Sequence, residues 1–137
     1  MAWSELEAGM WTLPAQRTKN RVARRIPLPA AAREILDGVP RVEGRDRVFD
    51  CTGRNVRRVA TTLGVTGWRI HDLRRTMRTG LTRLRVPKEI AELCIGHKQE
   101  KLVRIYSVEK QLEEQAEAFE AWAAKVIGKA PALRLVA

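Results

Sequence analysis

The side chains best suited to chemistry are concentrated in one part of the chain, between residues 71 and 106. This window contains both histidines, His71 and His97, and the single tyrosine, Tyr106. Arg74 follows the first histidine by three positions. A tyrosine hydroxyl close to fixed guanidinium groups can attack a phosphodiester and keep the phosphate as a covalent ester, because arginine stabilises the charge that develops on the phosphate oxygens. These residues therefore predict covalent chemistry on an anionic phosphate.

The charge of the chain favours a polyanionic partner. The formal net charge is +10, and residues 17–104 carry 22 lysines and arginines against 9 acidic residues. Residues 109–125 reverse this balance, with five glutamates against two lysines. A basic body with an acidic tail is typical of a protein that binds nucleic acid with the body and protein with the tail. A solvated, arginine-rich surface is the alternative explanation of the charge alone.

Length and composition limit the remaining possibilities. A chain of 137 residues is long enough for one domain with its own core. No long apolar run and no signal peptide is visible, so we expect no membrane partner and a cytoplasmic location. Cys51 and Cys94 have no metal-ligand spacing, which favours two reduced, buried thiols over a disulfide or a metal site. We expect no cofactor and no metal.

The pattern of apolar residues predicts an α+β fold that is mostly helical. Short strands separated by turn residues predict a small antiparallel sheet, at about residues 3–6, 10–13 and 24–28, with a basic tip at 17–21. Apolar residues at spacings of three and four then predict a helical bundle, with helices at about 29–36, 54–63, 71–84, 87–95 and 108–127. In the last helix the predicted apolar face consists of Leu112, Ala116, Phe119, Ala123 and Val126.

Helical geometry also predicts how the polar side chains are directed. His71, Arg74 and Arg78 lie one turn apart, so they can face one ligand together. Arg75 is rotated by about 100° from Arg74 and is expected to serve structure or a backbone contact. A glycine at position 96 suits a left-handed helix end, which places His97 on the turn beyond the helix.

Several segments together resemble the tyrosine recombinases, the phage-type integrases. His71 to Thr76 is similar to the family's H-x-x-R box, Leu93 to His97 to its Leu-Gly-His segment, and Tyr106 follows at the family's distance. Upstream, residues 11–28 resemble the integrase hairpin, whose turn carries a lysine that Lys19 matches. The resemblance extends from about Trp3 to Trp122, with four segments in the family's order.

The resemblance implies the catalytic-core fold of DNA breaking-rejoining enzymes and site-specific recombination or integration through a 3′-phosphotyrosine. It implies that Arg74 clamps the phosphate, His71 acts as acid and base, and His97 donates a hydrogen bond to the phosphate. Tyr106 would be the nucleophile and Lys19 the general acid. Further contacts to double-stranded DNA are expected from Arg17, Arg21, Arg75 and Arg78.

The chain departs from the family in one respect, because no arginine precedes Arg17. Family members carry a first catalytic arginine upstream of the hairpin. We therefore expect a partial catalytic domain at residues 1–128, with a disordered tail at 129–137 and little cleavage by this chain alone. Other recombinase protomers are expected partners, through residues 108–127. The alternatives are a non-catalytic DNA-binding prophage remnant and an unrelated basic, helical RNA-binding module.

Overall fold

The chain forms a small sheet followed by packed helices. The structure, a computed structural model, describes residues 1–19, 21–49, 53–97 and 108–128. Within them it contains the helices α1 (Ala30–Asp37), α2 (Gly53–Thr62), α3 (Ile70–Arg83), α4 (Lys88–Cys94) and α5 (Val108–Val126), and the strands β1 (Leu6–Glu7), β2 (Met10–Leu13) and β3 (Arg24–Pro27). This confirms the predicted α+β class, mostly helical with a small antiparallel sheet. The predicted tail at 129–137 lies outside the described residues.

The three strands form an antiparallel sheet in the order β1-β2-β3. The turn between β1 and β2 consists of Ala8 and Gly9, both with positive φ (47° and 75°), as a tight two-residue hairpin requires. β3 pairs with β2 in a register that sets Arg24 opposite Leu13 and Pro27 opposite Met10. A proline fits there because β3 is an edge strand. The predicted hairpins are therefore confirmed.

The first predicted strand begins later than expected. Residues 3–5 form a single turn of 3₁₀ helix instead. The Glu5 carboxylate accepts hydrogen bonds from the Ala2 N–H at 2.9 Å and from the Trp11 indole N–H at 3.0 Å. These bonds fold the chain back on itself, so only Leu6 and Glu7 are left to pair with β2.

The apolar core lies where α3, α4 and α5 meet. Its buried members are Leu81, Ile90, Ala91, Cys94 and Ala118, and partly buried residues packed against them are Met77, Val86, Leu93, Phe119 and Trp122. Leu81 and Ala91 are completely inaccessible to solvent. Burying such side chains contributes roughly 25 cal/mol per Å² of apolar surface. Since α4 carries three of the buried residues, its end is firmly attached to the bundle.

The predicted apolar face of α5 is correct only in part, since Phe119 packs against the core but the most deeply buried residues are others. The buried residues of α5 are Gln115, Ala118 and Ala121, whereas Val126 is 63% exposed. The alanines allow the backbone of α5 to approach the core closely, and Phe119 and Trp122 pack against the core beside them. The Gln115 amide donates a hydrogen bond to the Gln111 carbonyl at 3.0 Å, which satisfies a polar group in this buried position.

The apolar pattern of α2 and of the beginning of α3 also differs from expectation. Both segments are helical as predicted, but Leu63 is 73% exposed and Leu73 is 57% exposed. Among the residues of α2, Ala60 is buried. The spacing of apolar residues thus predicted both helices correctly, but it did not predict which of these residues are buried. No helix among the described residues is both long and apolar enough to cross a membrane.

One close contact fixes the distance between α3 and α5. Gly80 is buried inside α3, and a Cβ placed there would lie 1.9 Å from the ring of Trp122. The glycine therefore provides the space that the indole occupies. Glycine in a helix interior costs about 1 kcal/mol relative to alanine, so this position gives up helix propensity for the contact.

Replacing Gly80 by alanine should destabilise the fold even though alanine favours helix. We expect the free energy of unfolding to fall by about 1–3 kcal/mol, because the indole must move out of a packed core. Urea denaturation followed by circular dichroism measures this change. Thr76→Ala, at an exposed position of the same helix, should change it by less than about 0.5 kcal/mol. A more stable Gly80→Ala variant would contradict the described contact.

Candidate functional site

A cleft of about 280 Å³ lies between α3 and the turn that follows α4. Its lining residues are His71, Arg74, Arg75, Arg78, Thr79, Ile95 and His97. Three of the five predicted catalytic residues, His71, Arg74 and His97, are therefore brought together. They come from α3 and from the turn that follows α4, with α4 between them in the sequence. The cleft contains cationic and imidazole side chains without a carboxylate among the residues that line it.

The face of α3 that borders the cleft agrees with the helical spacing. His71, Arg74 and Arg78 all line it, as predicted from their positions one turn apart. Arg75 lines it as well, which corrects the expectation that it points away. Its side chain is 75% exposed and approaches Asp72 to 4.0 Å. A long, flexible side chain on an exposed helix surface reaches the rim of an open cleft despite the rotation of its Cα.

The end of α4 places His97 with a defined backbone geometry. Gly96 has φ +74°, and its N–H donates to the Leu93 carbonyl at 2.9 Å. The His97 N–H donates to the Glu92 carbonyl, also at 2.9 Å. These two bonds close the helix as a Schellman motif, in which the residue at the left-handed position is usually glycine. The prediction of a left-handed Gly96 and of His97 on a turn is confirmed.

The Glu92 carboxylate connects α3 with the His97 turn. Arg78 Nε donates to Glu92 Oε1 at 2.6 Å, and the His97 ring contacts Glu92 Oε2 through Nδ1. The hydrogen bond from Arg78 first, and then the contact with His97, lower the pKa of Glu92. A carboxylate at Nδ1 orients the imidazole and leaves Nε2 for another partner. Glu92 therefore prepares His97 for a ligand in the cleft.

Arg74 and Arg78 have different surroundings although both line the cleft. Arg78 is bound to Glu92 and also donates to the Thr82 hydroxyl at 2.6 Å. Arg74 is half-buried, and no hydrogen bond or ion pair joins its guanidinium to another described side chain. A guanidinium fork in this condition can bind two oxygens of one phosphate. Arg74 is thus the cation best able to bind an anion directly.

The residues predicted at the hairpin tip do not line this cleft. Lys19 and Arg21 are exposed, and Arg21 adopts a positive φ of 55°. Arg17 forms an ion pair with Glu5, next to the sheet. The tip therefore presents basic side chains to solvent. These side chains are not part of the cleft that His71, Arg74 and His97 line. Tyr106 lies outside the described residues, so the position of the predicted nucleophile relative to the cleft stays a prediction.

Two residues of the site were missed from the sequence. Glu92 belongs to no recognised motif, and an acidic residue inside a helix normally indicates a solvent-exposed surface. For Arg24 the sequence predicted only a place in the third strand. In the structure its Nη2 donates to the Leu93 carbonyl at 2.8 Å, beside the His97 turn. Burial first, and then the nearby charge of Arg74, lower the pKa of Arg24.

Cys94 lies at the inner side of the same turn. It is a free, buried thiol, as predicted, and burial raises its pKa to about 12. Cys51 lies outside the described residues. A thiol with so high a pKa is a packing residue rather than a nucleophile, because the thiolate is the reactive form.

Comparison with known proteins returned no relative: no family model matches the chain, and no curated protein or solved structure is significantly similar to it.

Replacing Glu92 by glutamine should lower stability in a manner that depends on pH. A carboxylate whose pKa is lower in the folded than in the unfolded state stabilises the fold above its unfolded pKa and loses this effect as the pH falls. We expect a loss of about 1 kcal/mol at neutral pH that shrinks below pH 4.5, the ordinary value for this side chain.

Urea denaturation of both proteins between pH 7 and pH 3 measures this difference. Glu113→Gln removes an exposed carboxylate of α5 and serves as the matched control, with little change at any pH. A loss that stays constant over the whole range would show that the charge of Glu92 is not responsible.

Proposed function

We propose that this chain is a segment of a tyrosine recombinase catalytic domain, which binds double-stranded DNA and engages a scissile phosphate in the cleft. The observation that carries the proposal is that His71, Arg74 and His97 line one cleft. These are the residues that the resemblance assigns to phosphate binding and proton transfer. A chance similarity of short motifs would not require distant segments to share a cleft.

The electrostatics of the cleft support a phosphate as its ligand. Arg74 supplies a guanidinium that has no carboxylate partner among the described side chains, and His97 has its ring oriented by Glu92. The guanidinium of Arg74 lines the cleft and carries a fixed positive charge. A phosphate accepts hydrogen bonds from this guanidinium and from the His97 ring.

The chemistry that we propose uses Tyr106 as the nucleophile. Its phenolic oxygen attacks the phosphorus and forms a 3′-phosphotyrosine, while the bond to the 5′ oxygen breaks. His71 takes the phenolic proton, and Arg74 and His97 stabilise the charge on the non-bridging oxygens. The departing 5′ oxygen takes a proton from a general acid, for which Lys19 is the candidate. Attack by a 5′ hydroxyl reverses these steps and rejoins the strand.

The basic body should bind duplex DNA with a strong dependence on salt. Each phosphate that the protein neutralises releases counterions, so log affinity should fall linearly with log salt concentration. Arg74→Ala should lower the slope by about one unit, roughly alike for different DNA sequences. Fluorescence anisotropy with a labelled duplex at several salt concentrations measures the slope.

Arg83→Ala is the matched control, since Arg83 is an exposed arginine at the other end of α3. Arg83→Ala removes the same charge from the other end of α3, and it should change the affinity for DNA less than Arg74→Ala does. Binding that does not respond to salt would contradict a nucleic-acid partner, and equal effects of the two variants would contradict a phosphate at Arg74.

Covalent chemistry should be detectable with an activated substrate. We choose a DNA strand whose 3′ end carries a p-nitrophenyl phosphate, annealed to its complement. Attack by Tyr106 releases p-nitrophenolate and leaves a 3′-phosphotyrosine. This leaving group needs no general acid, so the reaction does not depend on Lys19, which is exposed outside the cleft lining.

We expect slow attachment of the wild-type chain to the strand, detected by denaturing gel and located at Tyr106 by mass spectrometry. Tyr106→Phe should abolish it, and Arg74→Ala should reduce it on the order of a hundredfold. Attachment that persists in Tyr106→Phe would contradict the assigned nucleophile. Salt-dependent DNA binding without any attachment would favour the non-catalytic remnant instead.

A further inference from the structure

The Arg24 side chain extends from the sheet to the turn that carries His97. Arg24 begins β3, opposite Leu13, and its Nη2 donates to the Leu93 carbonyl at 2.8 Å. That carbonyl also accepts the Gly96 N–H within the Schellman motif. The side chain thus joins residues 69 positions apart in the sequence. A cation that donates to the last carbonyls of a helix stabilises the end of the helix.

The guanidinium occupies the space above Gly96. A Cβ at position 96 would lie 2.0 Å from Arg24 Nη1 and 2.8 Å from Cζ. Gly96 suits this position for two reasons: its φ of +74° is costly for other residues, and a Cβ would displace the guanidinium that packs on its Cα. The Gly-His pair of the sequence depends in this way on a residue of the hairpin.

We propose that Arg24 is a positioning residue, which fixes the Gly96–His97 turn from the outside while Glu92 fixes the His97 ring from within α4. One edge of the guanidinium binds the Leu93 carbonyl, and its plane covers Gly96. The turn is then held between the sheet and the bundle. The role of His97 on a phosphate rests on the proposed function, whereas the packing of Arg24 on Gly96 does not.

The neighbouring Arg25 offers a matched comparison. It follows Arg24 in β3 and is exposed, since successive side chains of a strand point to opposite sides. Removing Arg25 subtracts the same charge from the same strand without touching the turn. Arg24→Lys keeps the charge but loses the planar fork, and an ammonium cannot bind the carbonyl and cover Gly96 together.

The first test is a double-mutant cycle that needs no ligand. Gly96→Ala is introduced into the wild type and into Arg24→Ala, and thermal unfolding is followed by circular dichroism. In the wild type the new methyl group meets both backbone strain and the guanidinium, but in Arg24→Ala only the strain is left. We expect Gly96→Ala to lower the melting temperature less in the Arg24→Ala background. Equal losses in both backgrounds would overturn the inference.

The second test follows the two histidine ring signals by NMR while inorganic phosphate is added. In the wild type both signals should shift and saturate. In Arg24→Ala the His97 shift at saturation should be mostly lost while the His71 shift is kept, because the hydrogen bond of Arg24 is to the turn and only its charge acts on Arg74 of α3. Arg25→Ala should behave like the wild type, and Arg24→Lys should not restore the His97 response.

The outcomes separate the two hypotheses. Recovery of the His97 shift in Arg24→Lys, or no loss of it in Arg24→Ala, would overturn the positioning role. Wild-type histidines that do not respond to phosphate would contradict the proposed function, and the double-mutant cycle would then decide on Arg24 by itself. If Arg24→Ala does not fold, Arg24→Lys takes its place in both tests, with Arg25→Lys as its control.

Discussion

The cleft depends on a single carboxylate placed between positive charges. Glu92 accepts from Arg78 of α3 and contacts the His97 ring, so it links α3 to the turn that follows α4. It neutralises one arginine and leaves Arg74 without a carboxylate among the described residues. A cleft that keeps one unbalanced guanidinium attracts an anion, whereas a cleft with every charge paired would not.

Much of the fold was predictable because its local signals agree with one another. Turn residues at Ala8–Gly9, prolines before α1 and α4, and a left-handed glycine after α4 each mark a boundary that the structure confirms. The buried side of α5 was not predictable from the size of its apolar residues. Its contact combines two alanines with Phe119 and Trp122, and only the position of the core decides which side of the helix is buried.

The candidate site was predictable only in part, for a related reason. His71 and His97 were identified because histidine is rare in this chain, and Arg74 because it follows His71 by three positions. Arg24 and Glu92 are common residue types in a chain rich in charge, and they act through contacts between distant segments. Such contacts depend on the tertiary structure. The relation of Tyr106 to the cleft rests on the sequence alone.

The burial of Cys94 makes this thiol a reporter of motion. With a pKa of about 12 and 8% exposure, it is almost entirely protonated and shielded at neutral pH. Alkylating reagents and oxidants consume thiolates, so they leave Cys94 unmodified while α4 is packed against α5. Modification requires the two helices to separate. The rate at which Cys94 is labelled therefore measures how often α4 separates from α5 beside the His97 turn.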